Sequence, residues 1–242
     1  MKHLSILFGK SKLFWEKGFL DLVFPRRCVD CGKEGSFVCY DCAGKIEKIV
    51  TMTCAFCGKI SKSGQFCSSC KAKHELVLSG LIVAARYDSG PTKEMIHHLK
   101  YSGFTELASS LSEIIYQTLQ KNMPKGEFVA VPVPLHKNRE AVRGFNQSEL
   151  IVRILSKKLH LHGGCALSRI KDTETQVNLS RELRQKNLEG AFSCIDKTLV
   201  KGKNILLVDD VATTLTTLNE CAKVLKDAGA KKIWGVVVAR RV

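Results

Sequence analysis

Residues 204–220 read NILLVDDVATTLTTLNE, and this segment is the most informative about the fold class. Four apolar residues lead into two adjacent carboxylates, Asp209 and Asp210, and four threonines then surround Leu215. The apolar run predicts a buried strand, and residues 216–229 predict a helix. Because the acids end the strand, at least one of their side chains should emerge at the edge of a parallel sheet where ligands bind.

The same alternation of apolar strands and amphipathic helices extends over residues 76–242 and predicts an α/β domain. Such alternation favours a parallel sheet with helices on both faces. Residues 171–190 are polar and rich in Arg, Asn and Gln, so we expect a long connection there. The predicted strands are 78–88, 127–134, 164–170, 204–211 and 231–241, and the predicted helices are 90–101, 105–122, 146–159 and 216–229.

Eight of the eleven cysteines lie in residues 25–75 and form four CxxC pairs. Both thiolates of such a pair can face one ion, and two pairs complete a tetrahedral zinc site. Short gaps between pairs favour closing each site locally. Pairing the first CxxC with the third is the less favoured arrangement. We therefore predict two zinc ions, one held by Cys28, Cys31, Cys39 and Cys42 and the other by Cys54, Cys57, Cys67 and Cys70.

A disulfide scaffold and a thioredoxin-like redox centre are the competing interpretations of these cysteines. No secretion signal supports disulfides, and no βαβ unit surrounds a CxxC pair. Four sulfur ligands leave no open position on the metal, so we expect a structural rather than a catalytic role. The isolated Cys165, Cys194 and Cys221 are expected to be small core residues.

The 242 residues carry a formal net charge of +15, spread along the chain. Two zinc ions bound to eight thiolates would reduce it to about +11. A basic field favours nucleic acid, anionic membrane or phosphorylated small molecules, with mere solubility as the alternative.

The chain has no apolar run of about 18 residues, which predicts a cytoplasmic protein without a membrane span. We expect residues 1–24 to form an amphipathic segment covering a neighbouring surface. Weak contact with a membrane surface is the less favoured alternative.

The residues around Asp209 suggest a sugar-phosphate site. Adjacent carboxylates provide acceptors for the two hydroxyls of a ribose, and a magnesium ion prefers the same oxygens. The threonines that follow open a helix, whose first backbone NH groups form a natural phosphate cradle. The alternative is that one of these residues merely caps the helix.

The ILLVDDVATTLTTL segment resembles the phosphoribosyl-pyrophosphate loop of type I phosphoribosyltransferases. Three further segments, VPVPLHKNREAVRGFNQSEL, TQVNLSRELRQKNLEGAF and GAKKIWGVVVAR, follow the CxxC ribbon in an order similar to the ComF (ComFC-type) competence family. The resemblance implies a phosphoribosyltransferase-like fold behind a double zinc ribbon at residues 25–75. It also implies a role in the uptake of transforming DNA. The implied partners are single-stranded DNA and a helicase-like ATPase of ComFA type. The implied location is the inner face of the membrane, in association with the DNA-uptake machinery.

The resemblance assigns roles to individual residues. Asp209 and Asp210 would hold the ribose hydroxyls. The loop after Pro134 takes the place of the pyrophosphate loop, and residues 171–190 take the place of the mobile hood. Asn146 belongs to the same loop as the pyrophosphate-binding candidates, but it would cap the next helix rather than bind pyrophosphate. The phosphate would be held by Ala212, Thr213, Thr214, Leu215, Thr216 and Thr217. The pyrophosphate would be held by Lys137, Arg139 and Arg143. In the segment that corresponds to the hood, a phosphate or a DNA backbone would be bound by Arg181, Arg184 and Lys186.

Leu215 departs from the family motif, which has glycine at this position. If the turn needs a positive φ, a residue other than glycine costs about 1 kcal/mol there. We also expect the leucine to add bulk beside the phosphate cradle and to weaken the binding of the sugar phosphate.

The sequence is compatible with three functional hypotheses. The first is a competence protein that handles single-stranded DNA and whose phosphoribosyl-pyrophosphate pocket binds ligand without catalysis. The alternative is an active phosphoribosyltransferase of nucleotide salvage that uses Mg²⁺ with phosphoribosyl pyrophosphate, although no residue stands out as a catalytic base. The third is an interaction module whose ribbon docks the partner ATPase.

Overall fold

The computed structural model describes residues 25–88, 90–172 and 188–241. Its strands are β1 (Gly80–Arg86), β2 (Phe128–Pro132), β3 (His162–Gly163), β4 (Leu167–Arg169), β5 (Phe192–Cys194), β6 (Asn204–Ala212) and β7 (Ile233–Arg240). Five of them form one parallel sheet in the order β1-β7-β6-β2-β3. The prediction of a parallel α/β sheet is therefore confirmed.

The described part of the chain has helices in the cysteine-rich part and on both faces of this sheet. They are α1 (Tyr40–Gly44), α2 (Ser68–Lys73), α3 (Thr92–Tyr101), α4 (Leu107–Asn122), α5 (Lys137–Arg143), α6 (Gln147–Leu159), α7 (Lys197–Val200) and α8 (Thr216–Asp227), and a 3₁₀ turn spans Lys62–Gly64. α3, α4 and α6 pack on one face, and α8 packs on the other.

The central strand β6 is buried on both sides, as its continuous apolar run predicts. Successive side chains point to opposite faces of a strand. Ile205 and Leu207 join the core beneath α8, whereas Leu206 and Val208 join the core beneath α4 and α6. Each of the four is at most 1% exposed.

Two segments differ from their predicted structure. The expected loop after Pro134 contains the short helix α5, which His136 caps and Gly144 ends with a left-handed φ of 84°. The strand predicted at 164–170 is reduced to β4, which pairs antiparallel with β5 outside the main sheet. Both segments are too short and too polar to show a clear period in the sequence.

The cysteine-rich part consists of two similar ribbons. In each, the amide of the first cysteine, Cys28 or Cys54, donates a 2.8 Å hydrogen bond to the carbonyl five residues later. The third cysteine, Cys39 or Cys67, then stands at the N-cap of a short helix, α1 or α2. The two ribbons are thus one structural unit used twice.

The ribbons pair with the outer edge of β1. The Ile49 amide donates to the Ala84 carbonyl at 2.9 Å, and the Phe66 amide donates to the Ser79 carbonyl at 3.1 Å. These bonds cover an edge that would otherwise be open to pairing with another chain.

Each helix in the described part of the chain is too short or too polar to cross a bilayer. The amphipathic segment predicted at 1–24 lies outside the described residues, and the domain boundaries stay a prediction.

Candidate functional site

The eight cysteines of the CxxC pairs converge into the two predicted groups of four. Within each group, the sulfur atoms all lie within 4.8 Å of one another. The Sγ atoms of Cys31 and Cys39 are 3.6 Å apart, and those of Cys57 and Cys67 are 3.8 Å apart. Zinc–sulfur bonds of about 2.3 Å in a tetrahedron separate the sulfurs by about 3.8 Å. Both groups fit a structural zinc ion. The less favoured arrangement, in which the first CxxC pairs with the third, is wrong.

Hydrogen bonds from backbone amides lower the pKa of one cysteine thiol in each group. Burial alone raises the pKa of Cys28, but hydrogen bonds from backbone amides, that of Cys39 first, outweigh it and lower the pKa to about 6. The pKa of Cys54 is also lowered to about 6, because amides such as that of Phe56 outweigh the effect of burial. Thiols with such pKa values are mostly thiolate at neutral pH, the form that binds zinc.

The carboxylates of Asp209 and Asp210 lie within β6, which continues past them to Ala212. The strand predicted at 204–211 therefore extends one residue further than expected, and the two acids do not end it. The Asp210 side chain is only 3% exposed, and its Oδ2 lies 2.6 Å from Lys100 Nζ. Its carboxylate is buried in an ion pair and does not face open solvent.

Asp209 is half-buried and is held by two donors. The Ser148 hydroxyl donates to Asp209 Oδ1 at 2.8 Å, and the Asp210 amide donates to the same oxygen at 2.9 Å. Burial and then the charge of Asp210 raise the pKa of Asp209 to about 7, although Lys100 and Ser148 act against the rise.

Lys100 is the residue of this site that the sequence did not reveal. It lies in the last turn of α3, and its side chain is 21% exposed. Burial opposes its charged form, but the charge of Asp210 more than compensates, and the pKa of Lys100 is raised. Lys100 and Asp210 are 110 residues apart, so no local pattern in the sequence indicates that they form an ion pair.

Asp209→Asn should flatten the dependence of stability on pH. Folded Asp209 keeps its proton up to about pH 7, whereas an unfolded aspartate loses it near about pH 3.9. The folded state binds more protons between these values, so stability falls as pH rises, by at most about 1.4 kcal/mol per pH unit. Urea unfolding at about pH 5 and about pH 7.5 should show a smaller loss in Asp209→Asn than in the wild type. Exposed Asp227→Asn is the control, and an unchanged profile in Asp209→Asn contradicts the expectation.

Two of the three cations predicted in the pyrophosphate loop, Arg139 and Arg143, line the same cavity as Lys100. A cavity of about 660 Å³ at the carboxyl edge of the sheet is lined by Lys100, Tyr101, Gly103, Asn138, Arg139, Val142, Arg143 and Asp172. The Arg143 guanidinium donates to Gln147 Oε1 and lies 5.7 Å from the centre of the Tyr101 ring. Lys137 is exposed and is not part of this lining.

The start of α5 is fixed to the segment after β4. Asn138 Nδ2 donates to Asp172 Oδ2 at 2.6 Å, and His136 Nδ1 lies 3.3 Å from Asp172 Oδ1. Asn146 caps α6 by accepting from the Ser148 amide at 3.0 Å, as expected. These bonds set the position of Arg139 and Arg143 relative to the sheet.

The predicted phosphate loop leads from β6 into α8. Leu215 is the N-cap of α8 and has a φ of 65°, so the expected positive φ is present. Its side chain is 3% exposed and belongs to the core cluster that includes Leu76 and Leu218. Its bulk is therefore largely buried in the core, and its effect on the binding of a sugar phosphate stays a prediction.

The remaining loop residues keep polar groups near the start of α8. Thr213 is exposed, Thr214 and Thr216 are half-buried with their Oγ1 atoms 2.9 Å apart, and Thr217 is half-buried. Ala212 is buried. Their binding of phosphate stays a prediction. The hood cations Arg181, Arg184 and Lys186 lie outside the described residues.

Two family models match the chain. The double zinc ribbon domain matches residues 19–71, and the phosphoribosyl transferase domain matches residues 146–242. The first contains all eight zinc-binding cysteines, and the second contains β6 and α8.

Three curated relatives match over most of the chain. Competence protein ComFC of Bacillus subtilis is 29% identical over 79% of this chain and 79% of its own. Competence protein F of Haemophilus influenzae is 29% identical over 84% of this chain and 98% of its own. DNA utilization protein YhgH of Escherichia coli is 37% identical over 64% of this chain and 70% of its own.

A hypoxanthine phosphoribosyltransferase from Staphylococcus aureus is among the similar solved structures, with a TM-score of 0.37 and 16% identity over 57% of this chain and 65% of that chain. Likeness at this level indicates nothing about activity.

Proposed function

Since the chain belongs to the ComF family of competence proteins, we propose that it handles single-stranded DNA during the uptake of transforming DNA. The names of its relatives support a role in competence and DNA utilization. The observation that carries the proposal is the meeting of Lys100, Arg139 and Arg143 at one cavity of a chain with a net charge of +15.

The composition of this cavity suits a nucleic acid backbone. Lysine and arginine neutralise phosphates, and this contact dominates non-specific affinity. Tyr101 is 71% exposed beside Arg143, so one base can stack on its ring. With aromatic residues at only 7% of the chain, we expect backbone contacts to outweigh stacking.

We further propose that the phosphoribosyl-pyrophosphate pocket binds ligand without efficient catalysis. Its two carboxylates are already engaged, Asp210 by Lys100 and Asp209 by Ser148. A ribose or a magnesium ion would have to compete with these partners. The carboxylate oxygens fit the chemistry of Mg²⁺, which would neutralise charge on a bound pyrophosphate.

An active phosphoribosyltransferase of nucleotide salvage is the second candidate, favoured by the family match over residues 146–242. It requires Lys100 to release Asp210 and a base to activate the acceptor. None of the described residues lining the cavity is an evident base for that step, since its one carboxylate, Asp172, already accepts a hydrogen bond from Asn138 Nδ2. DNA handling therefore fits the site better.

The ATPase partner implied by the family is proposed to dock on the zinc ribbons. Tyr40, Val50 and Ile60 are 93%, 75% and 81% exposed there, and exposed apolar side chains are common at protein interfaces. Association with the membrane uptake machinery from the cytoplasmic side belongs to the same proposal.

Binding of a fluorescent single-stranded oligonucleotide tests the DNA proposal. Affinity should fall steeply between about 50 and about 300 mM salt, with a slope near −0.7 per phosphate contacted. Arg139→Gln/Arg143→Gln removes two such cations, so its slope should be shallower by about 1.4.

Lys121→Gln/Lys125→Gln is the matched control. It removes the same charge from the last turn of α4 and from the segment that leads into β2, at the amino edge of the sheet, and both lysines are exposed. It should keep most of the wild-type slope. Equal effects of the two double variants, or a flat affinity in the wild type, would contradict the proposal.

A further inference from the structure

α3 carries a group of three potential metal ligands outside the zinc ribbons. Glu94, His97 and His98 each place one ligand atom within 4.8 Å of those of the other two. We propose that this group is a third metal site, for a divalent transition-metal ion. The inference does not depend on the DNA-handling function.

The spacing of the three residues explains why they converge. Positions i, i+3 and i+4 of a helix are neighbours on one surface, and Glu94 is the shared i position for both histidines. α3 is a helix of ten residues, so the group spans more than one turn of regular structure.

The donor set selects the class of metal. Two imidazoles and a carboxylate suit Zn²⁺, Co²⁺, Ni²⁺ or Cu²⁺, whereas Mg²⁺ and Ca²⁺ prefer oxygen ligands alone. Three protein ligands leave at least one coordination position open, unlike the closed tetrathiolate sites of the ribbons.

His98 is already oriented for binding through one nitrogen. Its Nδ1 lies 3.0 Å from the Ser102 hydroxyl, and its ring stacks on Phe104 with centroids 5.5 Å apart and planes 7° apart. Phe104 in turn packs against Phe37 of the first ribbon at 4.8 Å. A hydrogen bond at one imidazole nitrogen commonly fixes the other as the metal ligand, which here is Nε2.

The group needs only a small adjustment to close around an ion. Metal–nitrogen bonds of about 2.1 Å hold two ligand atoms at most about 4.2 Å apart, close to the 4.8 Å limit of the group. His97 is exposed, and its ring lies 4.9 Å from that of Tyr101. A side-chain rotation of His97 at the surface supplies the difference.

Glu94 is available to the metal. Within the described part of the chain, it makes no hydrogen bond or ion pair, and it is half-buried. Binding would link the middle of α3 to the turn that carries Lys100, and should therefore also raise the thermal stability of the protein.

Titration of the zinc-loaded full chain with Co²⁺ tests the site. A weak chelator first removes loosely held metal and leaves two zinc ions per chain. One further equivalent of Co²⁺ should bind with visible d–d absorption and without a thiolate-to-cobalt charge-transfer band, because no sulfur is involved. His97→Ala should weaken this binding at least tenfold, and Glu94→Gln should weaken it severalfold.

His162→Ala is the matched control, since His162 is a similarly exposed histidine on β3. It should leave Co²⁺ binding unchanged. No uptake beyond the two zinc ions would overturn the site, and so would a charge-transfer band or equal loss in His162→Ala and His97→Ala. Exposed His97 is preferred to His98 as the test position, because His98 also packs on Phe104.

Discussion

Lys100→Met should lower the free energy of unfolding by about 3–5 kcal/mol, because it leaves a buried carboxylate without its partner. The Asp210 side chain is 3% exposed, and Lys100 Nζ is its ion-pair partner at 2.6 Å. Asp209 is the preceding residue of β6, and its pKa should rise further once the lysine charge no longer opposes the rise. Urea unfolding at about pH 7.5, read by circular dichroism, measures the loss.

A second ion pair in the molecule provides the matched control. Lys158 Nζ lies 2.6 Å from Glu113 Oε2, the same distance, but the two side chains are 38% and 41% exposed. Lys158→Met should therefore cost less than about 1 kcal/mol. Lys100→Met/Asp210→Asn should recover much of the stability lost in Lys100→Met. Similar losses in Lys100→Met and Lys158→Met would show that the buried pair is not the stabilising contact.

Cys54→Ser should have a larger effect than Cys28→Ser, although each removes one zinc ion. Zinc binding contributes about 10–16 kcal/mol to the folding of small tetrathiolate units. Cys54 lies in the same core cluster as Phe66, Leu76 and Leu81, which reaches the sheet. Cys28 lies in a separate small cluster around the first zinc site. Loss of the second zinc should therefore also destabilise the α/β domain.

Zinc content and thermal unfolding measured on the same samples check this difference. Both variants should hold one zinc ion instead of two, and only Cys54→Ser should lower the unfolding temperature of the α/β domain. Cys165→Ser should keep both zinc ions, because Cys165 belongs to neither group. Identical unfolding curves for Cys28→Ser and Cys54→Ser would contradict the account.

Local signals in the sequence predicted the zinc sites and the parallel sheet. The CxxC pairs specify their ligands over a few residues, and the apolar runs of β6 and β7 require burial on both faces of a sheet. The positive φ of Leu215 was also foreseeable, because the related motif has glycine there. The direction of its side chain was not, since that depends on how the ribbon and α8 pack together.

The features that the sequence missed depend on contacts between distant segments. Lys100 reads as an ordinary charged residue at a helix end, and only the folded chain brings it to Asp210. α5 is seven residues long and has no buried residue, so it lacks an apolar period. The burial of Asp210 follows from the neighbours of β6, whereas the resemblance assigned both acids to the ribose hydroxyls.

The central claim is that Lys100, Arg139 and Arg143 form one site for sugar-phosphate groups at the carboxyl edge of the sheet. If so, DNA and phosphoribosyl pyrophosphate use the same cations and exclude each other. Leu215 is strained but buried, so a Leu215→Gly variant would mix lost packing with relieved strain. A competition measurement on the unaltered chain avoids this problem.

The most direct test is titration of the zinc-loaded protein with labelled single-stranded DNA at about 50 mM salt, with and without magnesium phosphoribosyl pyrophosphate at constant ionic strength. We predict that the protein binds DNA and that the phosphoribosyl compound weakens this binding severalfold. The competition should be reduced in Arg139→Gln/Arg143→Gln. Absence of DNA binding, or DNA binding that the phosphoribosyl compound leaves unchanged, would contradict the shared site.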